Sequence, residues 1–508
     1  MEYLLGIDLG TSGTKTVLFD TNGGVVRAKT VEYPLYQEQN GWAEQDPLDW
    51  WNAVVEGTQY VLQGVDPKVV KGVGLSGQMH GLVMLDKEGK VLRRSIIWCD
   101  QRTGKEVNWM NEKIGQEKLI AITTNPALTG FTAAKILWVK NNQPKIYEKC
   151  AHILLPKDYI RYMLTGEFAT EVSDASGMQL MDVPNRCWSD EILSLMDIDK
   201  GLLGKMYESQ DVTGQVHAKA AELTGLAEGT LVAGGAGDNP AAAVGTGIVK
   251  QGRAFTTIGT SGVVYAVSDQ VAIDPKGRVH TLCASVPGKW TVMSCTQAAG
   301  LSLQWLRNQA CAPEMEQAAK LGIDPYVIMG EEAERIPIGS NGLLYLPYLM
   351  GERSPHPDPD CRGTFFGLSA MHTRAHLIRA VMEGVAFSQC ECVDVFREMG
   401  VPVDDMMICG GGGRSPLWRQ MLADMYGCPV STIQSDEGPA LGVAILAGVA
   451  AGVYDSLEQA CDQLIAKNKT QMPVLENGKR YREYFDLYKD LYVTLQADFR
   501  KLARLTQR

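Results

Sequence analysis

Three glycine-rich turns, each following an apolar strand pattern, carry the clearest chemistry in the sequence: Gly10-Thr11-Ser12-Gly13, Gly259-Thr260-Ser261-Gly262 and Gly410-Gly411-Gly412-Gly413. Backbone amides in such turns, and at the helix starts they feed, form concave donor sets suited to phosphate. No Gly-Lys-Ser/Thr follows any of them and none has the Gly-x-Gly-x-x-Gly spacing, so P-loop and dinucleotide-binding turns are excluded. One such turn alone is a plain hairpin or helix entry. Three of them favour a phosphate ligand.

Carboxylates lie beside these turns. Asp8 sits inside an apolar strand, where a charge is costly without a cation or donors. A hydrated Mg²⁺ bridging to nucleotide phosphates would satisfy it, and so would neighbouring backbone amides. Lys15, just past the same turn, faces either a phosphate or solvent. Asp238 ends a strand running through Ala233-Gly234-Gly235-Ala236-Gly237. With Pro240 read as the first helical residue, Asn239 becomes the cap, and Asp238 stays outside the helix, free to point into a cleft as a general base. His80 lies in a turn flanked by Gly77 and Gly81. His372 and His376 are four apart on a helix but lack a third ligand, so they read as a solvated face.

The elements that must position these residues alternate. Asp46-Pro47 opens a helix to Leu62, and strands follow at 72–75 and 82–85, with a turn at 87–90. Helical spacing covers 132–140, 157–164 and 373–399, the last ended by Gly400. A strand at 406–408, a helix at 417–426 and an Ala/Gly helix at 439–453 complete an α/β pattern. Gly-Thr-Ser-Gly recurs half a chain apart, each time between two strands. This predicts two domains of similar plan, residues 1–247 and 248–508.

At 508 residues, with 45% hydrophobic and 21% charged residues, the chain can bury a large core without staples. A net charge of -11 argues against nucleic-acid or anionic-membrane partners. The 12 cysteines have no CxxC spacing and read as reduced thiols. The first residues lack a basic leader, and the longest uncharged run, Gly438 to Tyr454, is too short to span a bilayer, so the expected location is the cytoplasm.

The segment Cys409-Gly410-Gly411-Gly412-Gly413-Arg414-Ser415-Pro416-Leu417-Trp418-Arg419-Gln420 resembles the C-terminal signature of the FGGY carbohydrate kinases, of the actin, Hsp70 and sugar-kinase superfamily. Gly77-Gln78-Met79-His80-Gly81, the run from Gly41 to Pro47, Leu155 to Tyr159 with Ser173 to Gly177, and Pro347 to Pro357 are similar to segments of members that act on D-xylulose. The resemblance implies two actin-like (ribonuclease H-like) α/β domains, each with a five-stranded sheet, around a central cleft. The N-terminal one would bind sugar and the C-terminal one nucleotide. It implies transfer from ATP, with Mg²⁺ held by Asp8 through water, to the terminal hydroxyl of D-xylulose. Another ketose or polyol, such as ribulose or glycerol, is the alternative, and an ATP-gated binding protein on the same fold is the alternative of another class.

By position, the resemblance makes Asp238 the base and Asp8 its catalytic neighbour. Gln78, Met79, His80 and Asn239 fall at the sugar. Thr11, Ser12 and Lys15 face the transferring phosphate, and Gly259, Thr260, Gly300, Gln304, Gly411, Gly412 and Ser415 fall at the nucleotide. The expected partners are a small sugar and ATP, and a homodimer is compatible. Cys99, in Trp98-Cys99-Asp100, stands where such enzymes commonly carry Asn.

Overall fold

The computed structural model describes residues 2–434 and 437–506. In the first half, β1 (Tyr3–Leu9), β2 (Gly13–Asp20), β3 (Val25–Glu32), β4 (Val70–Gly77), β5 (Val212–Gln215) and β6 (Leu231–Ala233) form a sheet in the order β5-β6-β4-β1-β2-β3, and Ala236–Gly237 adds a short pairing to the end of β4. In the second half, β7 (Gly252–Ile258), β8 (Gly262–Ser268), β9 (His280–Cys283), β10 (Trp290–Thr296), β11 (Val403–Cys409), β12 (Val430–Ile433) and β13 (Lys467–Gln471) run in the order β9-β10-β8-β7-β11-β12-β13.

The two sheets share one plan. β1 pairs antiparallel with β2 and parallel with β4, and β7 pairs antiparallel with β8 and parallel with β11. The repeated Gly-Thr-Ser-Gly turns therefore occupy equivalent hairpins, as the sequence repeat predicts. Each five-stranded core is extended to a sheet of 7 strands, the first by edge strand β5 and the short Ala236–Gly237 pairing, the second by edge strands β9 and β13. β1 is covered on both faces, with Leu4, Leu5, Ile7 and Leu9 at most 1% exposed, so its apolar run does not alternate.

The helices that matter for the site are α1 (Pro47–Val61), α2 (Thr132–Asn142), α3 (Pro156–Thr165), α4 (Asp238–Gly245), α5 (Gly300–Ala310), α6 (Arg374–Glu398), α7 (Pro416–Tyr426) and α8 (Gly438–Ala450). Asp46 caps α1 by accepting from the Leu48 amide, with Pro47 at the first position. α6 runs through the second core and stops before Gly400, whose φ is +79°. The expected solvated pair of histidines is corrected here. His376 is buried and closes a reciprocal cap with Thr373, while Asn341 lies 3.1 Å from its Nε2, so its ring secures the helix start.

Although α8 belongs to the second half of the sequence, it packs on the first sheet. A Cβ at Gly6 would lie 2.1 Å from the Ala440 carbonyl oxygen, and one at Gly74 would lie 1.9 Å from that of Val443. α8 also crosses α4 with backbone on backbone. A Cβ at Gly245 would sit 1.8 Å from the Gly438 oxygen, and one at Gly442 would sit 1.9 Å from the Ala241 oxygen. Only glycine permits this approach. The Ala/Gly composition of 439–453 thus makes a crossing point between the halves.

Candidate active site

The ends of β1 and β4 build the floor of the site. Asp8 is half-buried, and its Oδ1 accepts from Ser76 Oγ at 2.8 Å. Burial raises its pKa, opposed by the Ser76 bond and the charge of Lys15, its cross-strand partner. Lys15 is neither free in solvent nor alone, since its Nζ lies 2.5 Å from a Glu437 oxygen at the start of α8. In the adjoining turn the Gly10 amide donates to the Gly13 carbonyl at 3.1 Å, and Ser12 is exposed. Thr11 is held from two sides, its carbonyl by Gln45 Nε2 at 2.7 Å and its hydroxyl by Trp98 Nε1 at 3.0 Å.

Gln78 donates to Gln45 Oε1 at 2.7 Å, its amide donates to the Leu9 carbonyl, and its buried Oε1 has no partner among the described residues. Met79 lies deeper than a sugar-site wall. Its side chain is 4% exposed in the apolar cluster with Ala243, Phe255 and Tyr265, and it presses against Gly237, where a Cβ would come within 2.8 Å. That leaves its main chain for any ligand.

His80 has a φ of +68°, the left-handed region that non-glycine residues seldom adopt. Its carbonyl oxygen explains how this is held, because it accepts from Lys135 Nζ at 2.7 Å and Thr132 Oγ1 at 3.1 Å. The ring stacks on Phe131 at 4.3 Å, and its Nδ1 lies 3.0 Å from the Gly177 carbonyl. A carbonyl only accepts, so Nδ1 carries the proton and Nε2 keeps a lone pair. Burial, then the charges of Lys135 and Arg353, hold His80 well below the usual histidine range, so the ring is neutral. Gly77 and Gly81 serve packing rather than ligand approach. A Cβ at Gly77 would meet Lys157 Cβ at 3.1 Å, and one at Gly81 would meet Pro156 Cγ at 2.5 Å.

Lys157 heads a wholly buried ionic cluster, 2.8 Å from Asp158, 3.3 Å from Glu171 and 3.1 Å from Asp174. Arg161 joins Asp158 at 2.7 Å and donates to the Gly234 carbonyl, which fixes the strand end before Asp238. Sequence reasoning missed this support, because its charges come from separate turns and meet only in the fold.

Asp238 is the first residue of α4, and Gly237 is the cap, which corrects the expected boundary. Asn239 lies in the first turn, where its amide and Nδ2 donate to Asp238 Oδ1 at 2.7 and 2.9 Å. Among the described residues Oδ2 has no hydrogen-bond partner. The residue is half-buried, not exposed, and burial followed by the Asp8 charge pushes its pKa up to about 7. Among the described residues no group of three His, Cys, Asp or Glu could cage a metal ion. A cation beside Asp8 would take its other ligands from phosphates and water, which suits Mg²⁺.

In the second half three segments meet at the carboxyl end of β7. The Gly300 amide, opening α5, donates to the Gly259 carbonyl at 2.7 Å, and the Ala299 amide donates to that of Thr260 at 3.0 Å. A Cβ at Gly300 would lie 2.5 Å from the Gly259 oxygen, and one at Gly412 would lie 2.5 Å from Ile258 Cβ. Gly259, Thr260, Gly300, Gly411 and Gly412 thus share one rim, with Gln304 exposed one turn into α5. Ser415 has a structural task in addition, capping α7 through the Trp418 amide at 3.3 Å.

Glycine-rich turns at the ends of both sheets, a neutral histidine and a carboxyl of raised pKa are the kinds of group that phosphotransfer calls for, and they sit on a frame of two like sheets. The chain belongs to the FGGY family of carbohydrate kinases: the model of the family's N-terminal domain matches residues 3–245 and that of its C-terminal domain matches residues 254–451. It therefore has that family's two-domain, actin-like α/β fold. It is 40% identical to xylulose kinase of Bacillus subtilis (strain 168), over 97% of each chain. A solved structure of a xyloylose kinase from Brucella ovis superposes with a TM-score of 0.89 at 34% identity, covering 98% of this chain and 100% of that one. A gluconokinase of Bacillus licheniformis is 32% identical over 99% of this chain and 98% of its own. No helix among the described residues is long and apolar enough to cross a membrane.

Proposed function

We propose that this kinase transfers the γ-phosphoryl of ATP to the terminal hydroxyl of D-xylulose, giving D-xylulose 5-phosphate. The likeness to xylulose kinases along nearly the whole chain carries this reading. The site supplies the groups the reaction needs. Asp238 Oδ2, unpartnered and with a pKa near working pH, accepts the proton of the sugar hydroxyl as it attacks. Asn239 holds the other carboxylate oxygen, which aims Oδ2. His80 Nε2 accepts from a sugar hydroxyl, and the main chain at Met79 lines the same turn. The turns at 10–13, 259–262 and 410–413 hold the phosphates through the amides they do not spend on their own carbonyls, and Lys15 joins them when it exchanges Glu437 for a phosphate oxygen. Mg²⁺, reached by Asp8 through water, would neutralise charge on the phosphates.

A panel of D-xylulose, D-ribulose, glycerol and gluconate, read by coupled ADP release, tests the reading. D-xylulose should give the highest kcat/KM. A higher value for gluconate or glycerol would replace the substrate, and ATP turnover indifferent to every sugar would favour an ATP-gated binding protein.

A further inference from the structure

The segment from Gly41 to Pro47 stands out in the sequence, and its Gln45 reaches two of the turns at the site. Gln45 is fully buried. Its Oε1 accepts from Trp50 Nε1 at 3.1 Å and from Gln78 Nε2 at 2.7 Å, and its Nε2 donates to the Thr11 carbonyl at 2.7 Å. One side chain thus joins the turn at 77–81 to the turn at 10–13. The amide has only one workable orientation. An indole N–H only donates and a carbonyl only accepts, so Oε1 must face Trp50 and Nε2 must face Thr11. Gln78 must then offer its Nε2, which leaves its own buried Oε1 without a partner among the described residues.

The backbone around Gln45 is anchored on either side. Glu44 and Gln45 pair antiparallel with Ile96 and Ser95, the Ala43 amide donates to Asp100 Oδ2 at 2.6 Å, and Asp46 caps α1. Glu44 is held by Arg93 and, at 2.7 Å, by Arg102, whose guanidinium lies over the Trp42 ring at 3.6 Å. A glutamine fixed in this way acts as a rigid strut, and it sets the direction of the Thr11–Ser12 peptide. In a planar trans peptide the C=O and the following N–H point opposite ways. With the Thr11 carbonyl drawn to Gln45, the Ser12 amide is turned away from it. The Gly10 carbonyl accepts from Tyr33 Oη, which turns the Thr11 amide away in the same manner. Neither of these two amides has a partner among the described residues. Adjacent unspent amides in a turn are a donor pair for an anion.

We propose that Gln45 is a positioning residue for phosphoryl transfer, fixing the phosphate-facing amides of the turn at 10–13 in register with the sugar-facing turn at 77–81. The inference rests on the sugar-kinase reading above. Transfer needs the sugar hydroxyl and the phosphoryl group about 3–3.5 Å apart and aligned. The two partners are held by separate turns, and Gln45 bonds to both; without it the turns shift independently. A phosphoryl group out of register with the hydroxyl is open to water instead. In that side reaction water attacks the γ-phosphorus, the bond to the bridging oxygen breaks, and ADP, inorganic phosphate and a proton leave.

The test compares wild type, Gln45→Met and Gln45→His with ATP, Mg²⁺ and D-xylulose. Methionine keeps the length but none of the bonds, whereas an imidazole accepts at one nitrogen and donates from the other. Gln45→Met should lose roughly ten- to hundredfold in kcat, with the KM for D-xylulose and that for ATP each within about threefold. Sugar phosphate and ADP should form in equal amounts in wild type, while in Gln45→Met ADP should exceed sugar phosphate. Gln45→His should restore most of the balance. This product ratio does not depend on how much of a variant is folded. An unchanged ratio in Gln45→Met, a loss confined to the KM for D-xylulose, or an equal loss in both variants overturns the proposal while the kinase reading stands. A wild type that forms sugar phosphate from no sugar of the panel overturns the kinase reading itself.

Discussion

Asp238→Asn tests the electrostatics of the site from two directions. The carboxyl moves from its ordinary 3.8 to about 7, because burial and then the Asp8 charge disfavour its ionised form. At about 1.4 kcal/mol per pH unit, holding it ionised in the folded state costs about 4 kcal/mol. The sign follows from linkage. Below pH 3.8 the group is protonated in both states and costs nothing; as pH rises, the unfolded chain ionises first, so the cost grows until about pH 7 and then stays constant. Asn, of the same shape and never charged, escapes it. The variant should therefore lose about 10²–10⁴ in kcat yet gain stability over wild type, with the gain absent near pH 4 and full by pH 8. The wild-type kcat/KM should rise with pH through about 7, reporting the base in the free enzyme. Thermal unfolding of both proteins across this range, with the pH–rate profile of wild type, measures both. An acid limb near pH 4, or a variant less stable than wild type at pH 8, would refute the reasoning.

Further expectations concern the sugar turn and the helix crossing. His80→Ala should raise the KM for D-xylulose two- to tenfold, as for a lost neutral hydrogen bond of about 0.5–1.5 kcal/mol, with the KM for ATP unchanged in steady-state kinetics. Gly177→Ala places a Cβ 2.4 Å from the His80 ring, so it should reproduce the sugar defect without touching the sugar turn itself. Gly442→Ala drives a methyl into the Ala241 carbonyl and should cost about 1–3 kcal/mol, seen as a lower thermal midpoint. Small-angle scattering should show a smaller radius of gyration with D-xylulose than without it, and an unchanged profile at saturating sugar would count against closure.

The repeat of Gly-Thr-Ser-Gly was legible because turn chemistry is local: the same tetrapeptide between two apolar strands makes the same hairpin twice. The start of α4 was less so. Pro240 suggested the first helical position, but it occupies the third, where the backbone N–H has no intrahelical partner either and its absence costs nothing. Gly77 and Gly81 mark the turn of His80 in the sequence, but the left-handed residue there is His80 itself, and the glycines make room for Lys157 and Pro156. Lys135 and Gly177 act through groups that converge from distant segments. No spacing rule marks a lysine whose task is to hold a carbonyl 55 residues away.

The crossing of α4 and α8 acts as the pin of a pair of scissors. Backbone seated on backbone offers no interlocked side chains to resist turning, while the glycine contacts resist sliding or separation. Asp238 stands at the start of one crossing helix, and Glu437, which holds Lys15, stands just before the other. Asp238, the proposed base, lies 8 residues or fewer from the pin, within about 12 Å along its helix. Displacement in a rotation grows with distance from the axis. A swing that carries the outer edges of the sheets through a wide arc therefore moves the base little, so the mouth can open for each turnover while the reacting groups keep their alignment.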